Sequence, residues 1–114
     1  RERLMDPILE HHYRNLAEGK AVQNEDGSVS TVYTAQVDVD GTPTLIPTVW
    51  DGQILDVEEA AQRAQQSGIK WPTAPSHQEL RSYDEKLHEE MRPMSQEEAQ
   101  RFLEVIRAGK RDAY

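Results

Sequence analysis

The sequence contains no cysteine. Disulfides, thiolate nucleophiles and cysteine-ligated zinc are therefore excluded, and with them the usual staples of a small secreted domain. A reducing compartment and a particle indifferent to cysteine chemistry fit equally well. No apolar run approaches the roughly 20 residues that a membrane span needs, and no segment has the basic-then-apolar order of a signal peptide. A soluble protein is expected. No glycine-rich phosphate loop and no G-x-S-x-G elbow occurs, so two common routes to phosphate and acyl chemistry are missing. Residues 21–50 hold Glu25, Asp26, Asp38 and Asp40 but no lysine or arginine, which makes that stretch a poor nucleic-acid surface.

What is present is a chain of 114 residues, one domain's worth, which buries roughly two thirds of its unfolded surface on folding. With 36% apolar and 30% charged residues, one modest core is expected, with the ends ordered against a partner. The chain starts at Arg1 rather than methionine, which fits a processed or excised piece of something longer. The net charge of −8 is uneven. From Ser76 onward acids and bases interleave, as they do on solvated helices. The basic tip, Arg107, Lys110 and Arg111, reads as helix-end charge complementing the macrodipole, with phosphate contact as the alternative.

Local signals predict an α+β fold. Asp6-Pro7 starts a helix over about residues 7–18, with Ile8, Leu9, His12 and Leu16 on one side and Gly19 as its stop. Asp26-Gly27 marks a turn, after which Val29, Thr31, Tyr33, Ala35, Val37 and Val39 alternate with polar residues as a strand does. Asp40-Gly41 is the pair that best tolerates the two positive φ angles of a type I′ turn. An antiparallel hairpin is expected over about 29–39 and 42–50, pairing Val39 with Thr42, Val37 with Thr44, Ala35 with Ile46, Tyr33 with Thr48 and Thr31 with Trp50. Val32, Leu45 and Val49 would give the other face a smaller apolar spot. Pro43 and Pro47 lack a donor, so the second strand should be an edge. A lone hairpin is marginal in water, and helices must cover it.

Three capping-box spacings follow Asp51-Gly52: Asp56 with Glu59, Ser76 with Glu79 and Ser95 with Glu98. They predict helices over about 57–67, 77–92 and 96–108, each with an apolar stripe. Trp71, in a rigid Ile69-Lys70-Trp71-Pro72 connector, is expected to plug the core, with exposed contact as the alternative. The expected organisation is an N-terminal helical arm (1–22), a central α+β domain (23–92) and a C-terminal helix (93–114).

No constellation points to catalysis or to a cofactor. His11 and His12 are adjacent, which places them on different sides of a helix rather than in chelating register. His88-Glu89-Glu90 begins like a zincin motif but lacks the second histidine. The acid pairs Glu58/Glu59, Glu89/Glu90 and Glu97/Glu98 read as helix starts or solvated faces. Asp38-Val39-Asp40-Gly41 superficially resembles a calcium loop without the remaining ligands, and the hairpin turn explains it better. The expectation is a protein that is not an enzyme and holds no metal or small molecule.

The segment Asn24-Glu25-Asp26-Gly27-Ser28-Val29-Ser30-Thr31-Val32, followed by Val39-Asp40-Gly41, Leu45-Ile46-Pro47-Thr48-Val49-Trp50-Asp51-Gly52, Glu59-Ala60, Ser67-Gly68, Trp71 and Tyr83 to Glu89, resembles a small module of tailed-bacteriophage proteins. Its pattern is roughly N-x-D-G-S-x-S-T-V, a V-D-G turn, L-I-P-T-V-x-D-G, an E-A helix, S-G and Y-x-x-x-L-H-x-E. The likeness covers about residues 23–91. It implies a virion-associated structural or internal, ejection-associated protein, found in the virion and in the host cytoplasm during assembly, with other phage virion proteins as partners. Leu45, Val49, Trp71, Phe102, Arg107, Lys110 and Arg111 are the expected partner contacts. Two alternatives are an acidic inhibitor of a host or phage enzyme, in the manner of a nucleic-acid mimic, and an accessory domain of a phage peptidoglycan hydrolase. Interleaving of acids with bases in the C-terminal part argues against the mimic.

Overall fold

The computed structural model describes residues 6–112, with side chains described for 6–106. The architecture is α+β, with small antiparallel ladders packed against helices. The order is α1 (Pro7–Ala17), β1 (Val22–Gln23), β2 (Val29–Ser30), β3 (Ala35–Val39), β4 (Thr42–Ile46), β5 (Val49–Trp50), β6 (Gln53–Ile54), α2 (Val57–Gln66), α3 (His77–Glu90) and α4 (Gln96–Asp112).

The helix starts are set by side chains. Asp6 accepts from the Ile8 amide at 2.8 Å, Asp56 from Glu59 at 2.9 Å and Ser76 from Glu79 at 3.2 Å. At α4 the box is reciprocal: Ser95 Oγ accepts from the Glu98 amide at 3.1 Å while Glu98 Oε1 accepts from the Ser95 amide at 2.9 Å. Each satisfies amides that the helix itself leaves unpaired.

The expected hairpin is shorter than its sequence pattern. Asp40 (φ 53°) and Gly41 (φ 81°) form the predicted turn, and the register pairs Val39 with Thr42, Val37 with Thr44 and Ala35 with Ile46 as anticipated. Beyond Ala35 the ladder stops. Val29–Ser30 turns back onto Val22–Gln23, and Val49–Trp50 pairs with Gln53–Ile54 across a second turn at Asp51 (φ 52°) and Gly52 (φ 79°). The Tyr33–Thr48 and Thr31–Trp50 pairs therefore do not form. At the break, Tyr33 takes a left-handed φ of 41°. The strand pairing there is replaced by crossing bonds: the Thr48 and Val49 amides both donate to Val32 O, and Thr48 Oγ1 donates to Tyr33 O.

Side chains on both faces of the hairpin are buried, Thr44 and Ile46 on one and Leu45 on the other. Val29 and Tyr33 are exposed, whereas Val32, Leu45 and Val49 are completely or almost completely buried. The supposed smaller spot is part of the core. α3 covers the hairpin face that presents Gln36, Asp38 and Leu45, and α2 covers the face that presents Val37, Val39 and Ile46. Ile8, Val32, Leu45, Ile46, Leu80 and Leu87 meet in the main cluster with the small residues Ala60 and Ala64. Trp71 joins them at 8% exposure, its indole N–H donating to Ala64 O at 3.1 Å.

The N-terminal helix is not an arm. Ile8 is fully buried in the main cluster, and Tyr13 and Ala17 form a second cluster with Ala99 and Leu103 of α4. The side-chain amides of Gln96 and Gln100 donate to Ala17 O at 3.1 and 3.0 Å, satisfying a carbonyl at the C-terminal end of α1.

The edge differs too. Because Val39 and Thr42 flank a two-residue turn, hydrogen-bonded pairs fall at every second position, and Gln36, Asp38, Pro43 and Leu45 turn their backbone groups outward. The prolines therefore withhold no bond from β3. Yet β4 is not open: the connector 72–74 runs beside it, with the Leu45 amide donating to Pro72 O at 2.8 Å, the Ala74 amide to Pro43 O at 3.2 Å and a bridge between Thr44 and Thr73.

Candidate functional site

α1 presents Ile8, His11, His12 and Asn15 toward the interior, three polar residues on a stripe whose spacing of three, one and three follows one helix face. Each is satisfied. His11 Nε2 donates to Val49 O at 2.7 Å, and Asn15 Nδ2 donates to Thr31 O at 2.7 Å and to Val49 O at 3.3 Å. His12 Nε2 donates to Arg92 O at 3.0 Å, since a carbonyl can only accept. Its Nδ1 is then the bare nitrogen and accepts from the Thr31 hydroxyl at 2.6 Å. One helix thus ties together the segment after β2, the start of β5 and the linker after α3.

Burial lowers the pKa of both histidines, because charging an imidazole away from water is unfavourable. For His11 the bond to Val49 O works in the opposite direction, as does Glu18, while Arg14 adds to the lowering. For His12 the bond to Arg92 O opposes burial, and His88 reinforces it. His11 also sits in an aromatic group, 4.6 Å from Trp50 and 6.0 Å from Trp71 between ring centroids. The Arg63 guanidinium lies 5.2 Å over Trp50 and bonds Asp51, whose carboxyl it holds below the usual range.

Replacing Asn15 by alanine is expected to cost about 1–3 kcal/mol, because the Thr31 and Val49 carbonyls lose a buried donor. Chemical denaturation measures this, and a change within about 0.5 kcal/mol would show that the junction tolerates the loss.

Beside this junction lies a groove of about 400 Å³, lined by His12, Leu16, Tyr33, His88, Met91 and Met94 among others. At its edge Thr34, Asp84 and His88 cluster. Thr34 Oγ1 donates to Asp84 at 2.9 and 3.0 Å, and the same ring nitrogen, His88 Nε2, lies 3.2 Å from Asp84 and 3.4 Å from Thr34. A hydroxyl–imidazole–carboxylate relay needs the two partners on opposite ring nitrogens. Here both meet one nitrogen and the hydroxyl points at the carboxylate, so the cluster braces α3 against the segment preceding β3. His77 acts likewise, with Nδ1 2.9 Å from Gln36 Oε1 and Nε2 2.8 Å from Asp38 Oδ1. The Tyr83 hydroxyl donates to Asp6, linking α3 to the start of α1.

Of the expected partner contacts, Leu45 and Val49 are at 0% exposure and Trp71 is buried, so these three serve the interior instead of a surface. The cause is the double covering of the hairpin and the local β5–β6 turn. Phe102 is half-buried, its ring 4.7 Å from Tyr13. The side chains of Arg107, Lys110 and Arg111 lie outside the described residues. His11, Asn15 and Val32 were not anticipated as interior residues. The helical spacing of His11 and Asn15 from Ile8 was the available signal.

Among the described residues no group of three or more histidine, aspartate or glutamate side chains converges as metal ligands, and no helix is long and apolar enough to cross a membrane. Compared with known proteins, the chain matches no family model, no curated protein and no solved structure.

Proposed function

We propose that this chain is a non-catalytic structural or internal component of a tailed-phage virion, acting through contacts with other virion proteins. One observation carries the reading: the residues that make the phage-module pattern are spent on the fold. In the L-I-P-T-V-x-D-G stretch, Leu45, Ile46, Pro47 and Val49 are buried, Thr48 bonds to Tyr33 O, and Asp51-Gly52 makes a turn. In the L-H-x-E stretch, Leu87 is core and His88 is bonded to Asp84. A pattern that specifies packing and turns suits a scaffold presenting surfaces, whereas an active site needs polar groups aimed at a common open point.

Particles purified from cells that carry the gene should contain this polypeptide at a fixed ratio to the other virion proteins by quantitative mass spectrometry. Its absence from particles, or its recovery only with a single host or phage enzyme, would overturn the virion assignment in favour of an inhibitor.

A further inference from the structure

We infer that the outer edge of β3 is a docking site for an extended peptide strand of a partner protein, one that alternates basic and apolar side chains. The inference rests on the reading of this chain as a contact module and names the partner class.

The first observation is the ladder itself. The backbone amides and carbonyls of Gln36 and Asp38 face away from β4, and among the described residues no backbone group bonds to them. The equivalent edge of β4 is occupied by residues 72–74. The pair of strands thus has one closed edge and one open edge, and an open edge is completed by an added strand.

The second observation is what flanks that edge on each face. On one face, Val37 and Val39 contribute to an apolar groove of about 380 Å³ shared with Ile46, Ala61, Ile69 and Trp71. A strand lying at the usual spacing of about 4.8 Å from β3 would set every second side chain beside this apolar wall. On the other face stands the Asp38 carboxylate, exposed although His77 Nε2 lies 2.8 Å from it, while Asp40 at the turn borders the apolar groove. Residues 21–50 offer no lysine or arginine to Asp38, whose partner is the His77 imidazole of α3. Side chains alternating on that face meet negative charge. The complementary strand is therefore apolar on one face and basic on the other.

The same charge argues against a second copy of this chain. Pairing β3 with its own equivalent would bring a second Asp38 and Asp40 to the same edge, within an overall charge of −8 on each chain. Like charges facing across a ladder destabilise it.

The test uses the whole chain and a capped six-residue peptide of alternating lysine and valine. Saturating peptide is expected to slow amide exchange at Gln36 and Asp38 at least about fivefold, the equivalent of one net backbone hydrogen bond. Two edge variants separate backbone from charge. D38N keeps the outward amide and loses the carboxylate. D38P also loses the amide, in the orientation that Pro43 already adopts across the ladder. D38P should bind the peptide about fivefold more weakly than D38N. Two peptides methylated on alternate amide nitrogens provide an arm independent of the variants' folding, and only the one whose free amides face β3 should bind.

Unchanged exchange at both residues, folded D38P binding as well as D38N, or equal binding of the two methylated peptides would each overturn the inference. So would protection of the edge without peptide in a sedimenting dimer, which would make the occupant a second copy. A protein present in particles with an unprotected edge defeats this inference alone. A protected edge on a protein absent from particles defeats only the virion reading.

Discussion

Replacing Leu45 by alanine is expected to remove about 2–5 kcal/mol of stability, a large share of the 5–15 kcal/mol typical of a domain of this size. Leu45 sits in β4 with 0% exposure, in one cluster with Leu80 and Leu87 of α3 and with Ile8 of α1. Truncation deletes apolar contacts that two separate helices supply, and a strand held by a hairpin partner on one side and residues 72–74 on the other cannot collapse freely into the space left. The expected readout is a melting temperature lowered by at least about 10 °C, with a matching drop in the urea midpoint. A surface contact at this position would change stability by less than about 0.5 kcal/mol. A loss that small would return Leu45 to the list of partner contacts and contradict the packing described above.

The second large effect is a loss of stability on mild acidification. His11 and His12 have folded-state pKa values below the unfolded reference of 6.5. The unfolded chain therefore binds protons first as pH falls, so the stabilisation is present in full above 6.5 and drains away as pH drops from there toward the folded values. The slope contributed by each histidine cannot exceed about 1.4 kcal/mol per pH unit. Geometry reinforces the sign for His12: protonation at Nδ1 sets a donor against the Thr31 hydroxyl proton, which must rotate away. Carboxylates with lowered pKa, Asp51 held by Arg63 and Glu98 by its cap to Ser95, lose their contributions only near and below their references of 3.8 and 4.5. The interval between pH 6.5 and 5 isolates the imidazoles. Urea denaturation across that interval should show falling stability in the wild type and a flatter profile in His12→Gln. Identical slopes would remove His12 from the account.

The parts of this fold that local chemistry controls were legible in the sequence. Asp40-Gly41 set a register that the structure keeps to the residue as far as Ala35, and the acid three places after each capping residue located the starts of α2, α3 and α4. What alternation could not show was where the ladder ends. Apart from Val32, Val29 through Val39 alternate, and nothing else in that run signals the left-handed turn at Tyr33, a residue type that rarely adopts it. The break is made by distant groups: Thr48 on the Tyr33 carbonyl, Asn15 on the Thr31 carbonyl, and the Asp51-Gly52 turn drawing Val49 and Trp50 into a ladder of their own. The inward-facing set then shifts by one residue, as any slip of strand phase requires. Val49 was misplaced for that reason, whereas Leu45 keeps its expected register and is buried because α3 covers its face of the hairpin. Asn15 was overlooked because a polar residue on a helix reads as exposed unless its carbonyl partners are known.

The clasp between the first and last described helices has a kinetic side. The three tight ladders join residues a few places apart, whereas α1 meets the far end of the chain through bonds that span about 80 positions, from His12 to Arg92 and from Ala17 to Gln96 and Gln100. Closing a loop of that length costs about 2 kcal/mol more in chain entropy than closing one of 10 residues. That expense is met only after the hairpins and their covering helices have gathered the intervening chain. The expected order of folding is therefore turns at Asp40-Gly41 and Asp51-Gly52 early and the clasp between α1 and α4 last.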